Sequence, residues 1–173
     1  LDINILFTIG GDGTLRGAKA IADEIKKRDL PIGVVGIPKT IDNDLGYVEK
    51  TFGFETSVHI ASDIITSAHN EARGVDNGVG IVRLMGRDSG FIAAAASLAN
   101  TVVDFCLIPE LEFSLTGESG LFNSLVKRLE ENRNAVIVAA EGSGQNLIKD
   151  VNQAKDASGN VLKNDIGVYL KEE

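Results

Sequence analysis

Five short runs of apolar, largely β-branched residues recur along the chain, and their spacing constrains the fold more than any other feature. They are Ile3 to Ile9, Ile32 to Ile37, Val79 to Leu84, Val102 to Ile108 and Ala135 to Ala140. Each is nearly continuous in hydrophobicity rather than alternating, the pattern of a strand covered on both faces. The segments between them repeat at helical spacing: Leu15, Ala18, Ala22 and Ile25; Val58, Ala61, Ile65, Ala68 and Ala72; Leu121, Leu125 and Leu129. A fourth helix, rich in small residues, is predicted over Ser89 to Leu98, with Asp88-Ser89 as its N-cap. Strand-helix alternation of this kind gives right-handed crossovers and an α/β fold, a mostly parallel sheet with helices on both faces.

A chain of 173 residues is long enough for one domain with a sizeable core. Residues 1–149 read as that domain. The tail, residues 150–173, is polar and broken by Ser158-Gly159-Asn160, and reads as a linker followed by a short helix from Asp165 to Glu173 that opens a further segment. The first strand has no lead-in, so the chain is expected to begin within a longer protein.

The formal net charge of -8 argues against duplex nucleic acid or an anionic membrane as the main partner, since both need a positive surface. No apolar run approaches the roughly 18 residues that span a bilayer. The single cysteine, Cys106, excludes an intramolecular disulfide and a multi-cysteine metal site. Its apolar surroundings predict a buried strand position, and a reducing, cytoplasmic setting is expected. His59 and His69 lie on one helical segment without a partner at metal-ligand spacing, and read as core or surface residues. Glu130 to Arg133 reads as a solvated helix end.

In open parallel sheets, ligands bind at the carboxyl ends of the strands. The unusual residues of this chain fall at those ends. Gly10-Gly11-Asp12-Gly13-Thr14 follows the first strand and opens a helix. Its glycines allow the backbone close to a phosphate, and the helix N-terminus supplies free N–H groups. An aspartate there suits a divalent cation bridging to the phosphate, or else simply caps the helix. The loop has neither the Gly-Lys-Ser/Thr of a Walker loop nor the glycine spacing of a dinucleotide fold.

Pro38-Lys39-Thr40-Ile41-Asp42-Asn43-Asp44 follows the second strand. Two carboxylates two residues apart face similar directions, so that one can meet metal while the other takes a proton. A solvated acidic turn would not need the neighbouring lysine and threonine. Met85-Gly86-Arg87-Asp88-Ser89-Gly90 follows the third strand and sets a guanidinium beside a helix start, where both can share one phosphate. Glu141 ends the last strand and is placed either to accept from a sugar hydroxyl or to stand as an exposed strand end.

These motifs, together with Gly53-Phe54-Glu55-Thr56 and Ala140-Glu141-Gly142-Ser143-Gly144-Gln145, resemble the phosphofructokinase family in order and spacing from Ile3 to Leu147. The branch most similar is that of the plant and protist ATP-dependent enzymes, which is related to the pyrophosphate-dependent ones. The resemblance implies a phosphofructokinase-like, Rossmann-like three-layer sandwich and phosphoryl transfer from ATP to the 1-hydroxyl of fructose 6-phosphate. It implies Asp42 as general base, Thr40 and Lys39 on the transferring group and donor, and Arg87 neutralising charge. Gly11, Asp12, Gly13 and Thr14 would bind the nucleotide phosphates, and Asp12 and Asp44 would hold Mg²⁺. Thr40, Asp42, Asp44, Met85, Gly86, Arg87 and Glu141 would line the sugar-phosphate site. A cytoplasmic homodimer or homotetramer is implied for the full-length protein.

The donor turns on a pair of residues. Pyrophosphate-using members carry an aspartate where this chain has Gly13, which leaves room for ATP; Lys39 resembles those same members. The combination is that of the plant and protist ATP enzymes, so ATP is expected, with pyrophosphate as the alternative. Gly78 stands where bacterial ATP enzymes carry an arginine. The family's N-terminal glycine-rich segment and the later residues that grip the 6-phosphate are expected outside these 173 residues. A lipid- or NAD-kinase-like enzyme shares a Gly-Gly-Asp-Gly loop, but its chemistry does not ask for the Pro38 to Asp44 motif.

Overall fold

The computed structural model describes residues 2–148, 154–155 and 161–173. The Ser158-Gly159-Asn160 break lies outside them. In chain order the elements are β1 (Ile5–Gly10), α1 (Asp12–Lys27), β2 (Gly33–Thr40), β3 (Phe52–Gly53), α2 (Phe54–Arg73), β4 (Gly78–Leu84), α3 (Phe91–Ala99), β5 (Phe105–Leu107), α4 (Leu121–Asn132), β6 (Asn134–Ala140), a 3₁₀ turn at Gln145–Leu147, and α5 (Ile166–Glu172). The five apolar runs and the five expected helices all have counterparts. Every pairing between these strands is parallel.

The chain divides into two compact units, Leu1–Thr56 and Ser57–Glu173. The first holds a sheet in the order β1-β2-β3. Ile5 to Gly10 pair in register with Gly33 to Pro38, which brings the carboxyl ends of β1 and β2 side by side. Helix α1 packs against both strands, and it begins immediately after β1 because Gly11, in extended conformation, turns the chain. Asp12 in its first turn and Lys26 and Lys27 in its last complement the helix dipole. One face of this sheet departs from the two-sided cover that its hydrophobicity predicts. Ile5, Phe7, Ile9 and Val35 are exposed, and they alternate with the more sheltered Leu6 and Thr8.

The second unit holds a sheet in the order β4-β6-β5, with β6 in the centre. Ala135 to Ala140 are all buried, and none is more than 2% exposed. Because successive side chains of a strand point to opposite faces, both faces of β6 are covered. Ile137 and Ala139 pack with Leu107, Leu121, Ile166 and Leu170 in one core cluster. Helix α5 therefore contributes directly to this core. Its N-cap is Asp165, whose carboxylate accepts from the amides of Gly167 and Val168, as expected of an N-cap aspartate.

Two local expectations are corrected. Helix α3 starts at Phe91 with Gly90, not Asp88-Ser89, at its N-cap position. Instead the Gly90 amide donates to Glu110 Oε1 at 2.8 Å, so a distant carboxylate satisfies the N–H that a local cap would have taken. Cys106 is exposed, not buried. It lies on β5, which is an edge of its sheet, and an edge strand leaves one flank uncovered. His59 is exposed and His69 half-buried. Among the described residues no group of three or more His, Cys, Asp or Glu is arranged to hold a metal ion, and no helix is long and apolar enough to cross a membrane.

Candidate functional site

In the unit Leu1–Thr56, the Gly10 to Thr14 loop and the Pro38 to Asp44 loop lie at adjacent strand ends, as the register of Gly10 opposite Pro38 requires. They approach closely. A Cβ on Gly11 would stand 3.5 Å from the Cβ of Thr40 and 3.9 Å from the Lys39 carbonyl. Gly10 is buried, and a side chain there would run into Thr14. Gly13 is different: nothing lies within 4 Å of where its Cβ would be, so its side of the loop faces open space.

The Asp12 carboxylate is half-exposed and pairs with Arg16 at 2.6 Å, one turn along α1. Lys39, Asp44 and Thr14 are exposed, and Thr40 and Asp42 are partly buried. A hydrogen bond from the Asp42 amide to Thr40 Oγ1, 3.3 Å, closes the turn between them. Asn43 adopts a left-handed conformation, φ 53°, which asparagine tolerates better than most residues. Nearby, Glu55 holds the Lys50 ammonium pKa above its ordinary value by hydrogen bond and charge.

A carboxylate beside open space at the start of a helix fits Mg²⁺. That ion takes one or two carboxylates and completes its shell with phosphate oxygens and water, so a dense protein cluster is not required.

In the unit Ser57–Glu173, β4 and β6 pair with Leu84 opposite Ala140, which brings the Met85 to Arg87 loop beside Glu141. Gly142 donates its amide to the Gly86 carbonyl at 3.0 Å and Glu141 donates to that of Leu84 at 2.9 Å. Gly86 has φ 134°, open to glycine and strained for other residues. A side chain on Gly142 would collide with the Arg87 carbonyl. Arg87 and Arg83 flank the Glu141 carboxylate, each at 3.8 Å, and Arg83 also reaches Asp165 at 3.4 Å. Lys163 pairs with Asp88 at 3.2 Å, and the Gln145 carboxamide spans to Asn164. Met85 is exposed.

The loops are thus assembled pairwise: the glycine loop with the Thr40 to Asp44 loop in one unit, and Arg87 with Glu141 in the other. The phosphofructokinase family profile matches residues 1–171. The chain belongs to the phosphofructokinase family.

Similar full proteins include the ATP-dependent 6-phosphofructokinase of Borreliella burgdorferi, 51% identical over all of this chain and 40% of that protein. The chloroplastic ATP-dependent 6-phosphofructokinase 5 of Arabidopsis thaliana is 52% identical over 99% of this chain and 32% of its own length. The Entamoeba histolytica ATP-dependent enzyme is 51% identical over 99% and 39%. The chain therefore spans well under half of each of these relatives. Among solved structures, the pyrophosphate-dependent phosphofructokinase of Marinobacter aquaeolei superposes with a TM-score of 0.67 at 26% identity, covering 82% of this chain and 37% of that one. The Pichia pastoris phosphofructokinase gives 0.66 at 26%, covering 82% and 16%.

Sequence reasoning missed several residues beside these loops. Thr51, Arg83, Lys163 and Asp165 belong to none of the family motifs. Their roles come from partners 8 to 82 positions away, which spacing along the chain does not reveal. Asp165 carried the one usable signal, an N-cap residue ahead of an apolar helix.

Proposed function

We propose that the intact protein carrying this chain transfers the terminal phosphoryl group of ATP to the 1-hydroxyl of fructose 6-phosphate. The observation that carries the reading is the close approach of the Lys39 to Asp44 loop to the Gly10 to Thr14 loop. That neighbourhood of the two loops supports a reading in which a base two residues beyond Thr40 acts beside a phosphate held at the start of α1.

In this reading Asp42 takes the proton as the hydroxyl attacks, and Thr40 and Lys39 contact the transferring group and the donor. Gly11, Asp12, Gly13 and Thr14 hold the nucleotide phosphates. Asp12 and Asp44 hold Mg²⁺, which when bound spreads the developing phosphoryl charge. Arg87 neutralises charge, while Met85, Gly86 and Glu141 line the sugar-phosphate site. Phosphoryl transfer asks the protein mainly for positioning and charge stabilisation, and that is what these side chains offer. The open space at Gly13 supports ATP as donor, in keeping with the names of the relatives. A cytoplasmic homo-oligomer, dimer or tetramer, completes the proposal.

The test is direct. Fructose 1,6-bisphosphate formation by the intact protein is followed with ATP and with pyrophosphate, each with and without excess Mg²⁺ chelator. Turnover with ATP that collapses on chelation is expected. Turnover only with pyrophosphate would move the donor, and no turnover with either would overturn the reading.

A further inference from the structure

Thr51 is 3% exposed, one of the buried polar residues among the described residues. Its hydroxyl donates to the Thr40 carbonyl at 2.8 Å. Its amide donates to Asn43 Oδ1 at 2.9 Å, and the Asn43 Nδ2 donates in turn to the Glu49 carbonyl at 3.3 Å. The Thr51 hydroxyl also lies 3.3 Å from Asn43 Oδ1. A hydroxyl carries one proton, and the shorter contact to Thr40 takes it, leaving Asn43 Oδ1 to the amide. Residue 51 thereby ties together the end of β2 and the left-handed residue between Asp42 and Asp44.

The position is built into the topology. Strand β3 has two residues, and they pair with Lys39 and Thr40, so the loop 41–51 leaves β2 and returns beside it with Thr51 at the point of closure. Two residues of ladder hold little by themselves. The hydroxyl and carboxamide bonds add the constraints that fix where Asp42 and Asp44 leave the backbone. We infer that Thr51, through its hydroxyl on the Thr40 carbonyl and its amide on Asn43, is a positioning residue for phosphoryl transfer: it holds the Asp42–Asp44 loop in its reactive geometry without meeting substrate. The inference rests on the function proposed above.

Three variants of the intact enzyme test it. Thr51→Val keeps the shape and removes the hydroxyl, and kcat is expected to fall about 10- to 100-fold, the scale of a small misplacement of reacting groups. KM for sugar and donor should move less than about threefold, because the lost interaction serves the transition state rather than binding. Thr51→Ser restores the hydroxyl and should recover kcat to within about threefold. Asn43→Gly keeps the left-handed backbone but deletes the carboxamide, and a comparable loss of kcat is expected even if Thr51→Val folds poorly. Unchanged kcat in Asn43→Gly and Thr51→Val, an effect confined to KM, or a Thr51→Ser as impaired as Thr51→Val would each overturn the inference. A wild-type protein without phosphofructokinase turnover would overturn the proposed function and this inference together, whereas an active wild type with indifferent variants overturns this inference alone.

Discussion

Residues Leu1–Thr56 and Ser57–Glu173 both carry glycine-rich loops at the ends of parallel strands, yet they hold those loops by different means. In the second unit β6 is buried from Ala135 to Ala140, with Ile65 and Ile166 fully enclosed as well, and the loop at Glu141 grows out of that packed strand. In the first, Ala18 is the buried hydrophobic side chain among the described residues, and Ile5, Phe7 and Ile9 are exposed. What orders the Asp42 loop is a set of hydrogen bonds around Thr51 and Asn43. The hydrophobic driving force is non-directional, while hydrogen bonds specify distance and angle. The unit that carries the proposed base relies on directional contacts, and the unit that carries Glu141 relies on a core.

The largest expected effect separates chemistry from grip. On the proposed roles, Asp42→Ala in the intact enzyme lowers kcat by about 10²- to 10⁴-fold, the usual contribution of a positioned base, and leaves donor binding in place. Glu141→Gln acts chiefly on KM for fructose 6-phosphate. Steady-state kinetics on both variants decides the matter. If Glu141→Gln costs as much kcat as Asp42→Ala, the division of labour between the two units fails.

Next comes the donor. Gly13→Asp places a carboxylate in space that is open in this structure, where the proposed ATP site would carry its innermost phosphate. Like charges a few Å apart in a partly desolvated site cost several kcal/mol. ATP turnover should fall by at least about 100-fold, and pyrophosphate, which lacks that phosphate, should escape most of the loss. Rates with each donor for both proteins show whether the specificity lies in this first unit. An unchanged preference would remove Gly13 from the donor site.

The third comparison concerns stability. Ile65→Ala opens a cavity at a fully buried position and should cost about 2–5 kcal/mol. Phe7→Ala removes a larger side chain that is 60% exposed and should cost less than about 1 kcal/mol. Urea denaturation midpoints with unchanged slopes provide the measurement. A cost for Phe7→Ala as large as that for Ile65→Ala would break the contrast, because it would mean that this sheet face is covered in solution.

The same contrast explains what could be read from the sequence. β6 was legible because both its faces are buried, so every residue from Ala135 to Ala140 is apolar and the run stands out. α1 and α4 were legible for the complementary reason: one face packs and one is solvated, which writes a 3.6-residue period. The Pro38 to Asp44 motif was legible because so many chemical types in so few residues need a reason.

Other features left no such trace. β3 is two residues long and depends on its pairing to Lys39 and Thr40. Thr51 gained its role from the fold, since a threonine before an aromatic residue looks like many others. The apolar run of β1 predicts cover on both faces, but hydrophobicity records only that a surface prefers to be covered, not what covers it. Cys106 was misplaced because the run from Val102 to Ile108 reads as a central strand, whereas only Phe105–Leu107 pair, at an edge.

Cys106 supplies the smallest expected effect, and it tests how far the packed character of the second unit extends. The residue is exposed, yet partial burial of its sulfur pushes the thiol pKa up, with the Ser97 hydroxyl pulling modestly the other way. If the folded pKa lies above the unfolded one, the folded state holds the proton more tightly. Its contribution to stability is then complete below the unfolded pKa and is lost as pH rises through the folded pKa. The native protein should therefore react with iodoacetamide only at more alkaline pH than an unfolded cysteine does, since the thiolate is the nucleophile. Cys106→Ser should flatten the alkaline decline in stability that the wild type shows. An alkylation profile matching that of the unfolded chain would show that the Cys106 face of the edge strand β5 lacks the desolvation found around β6, and that the packing of this strand is confined to the face of Leu107.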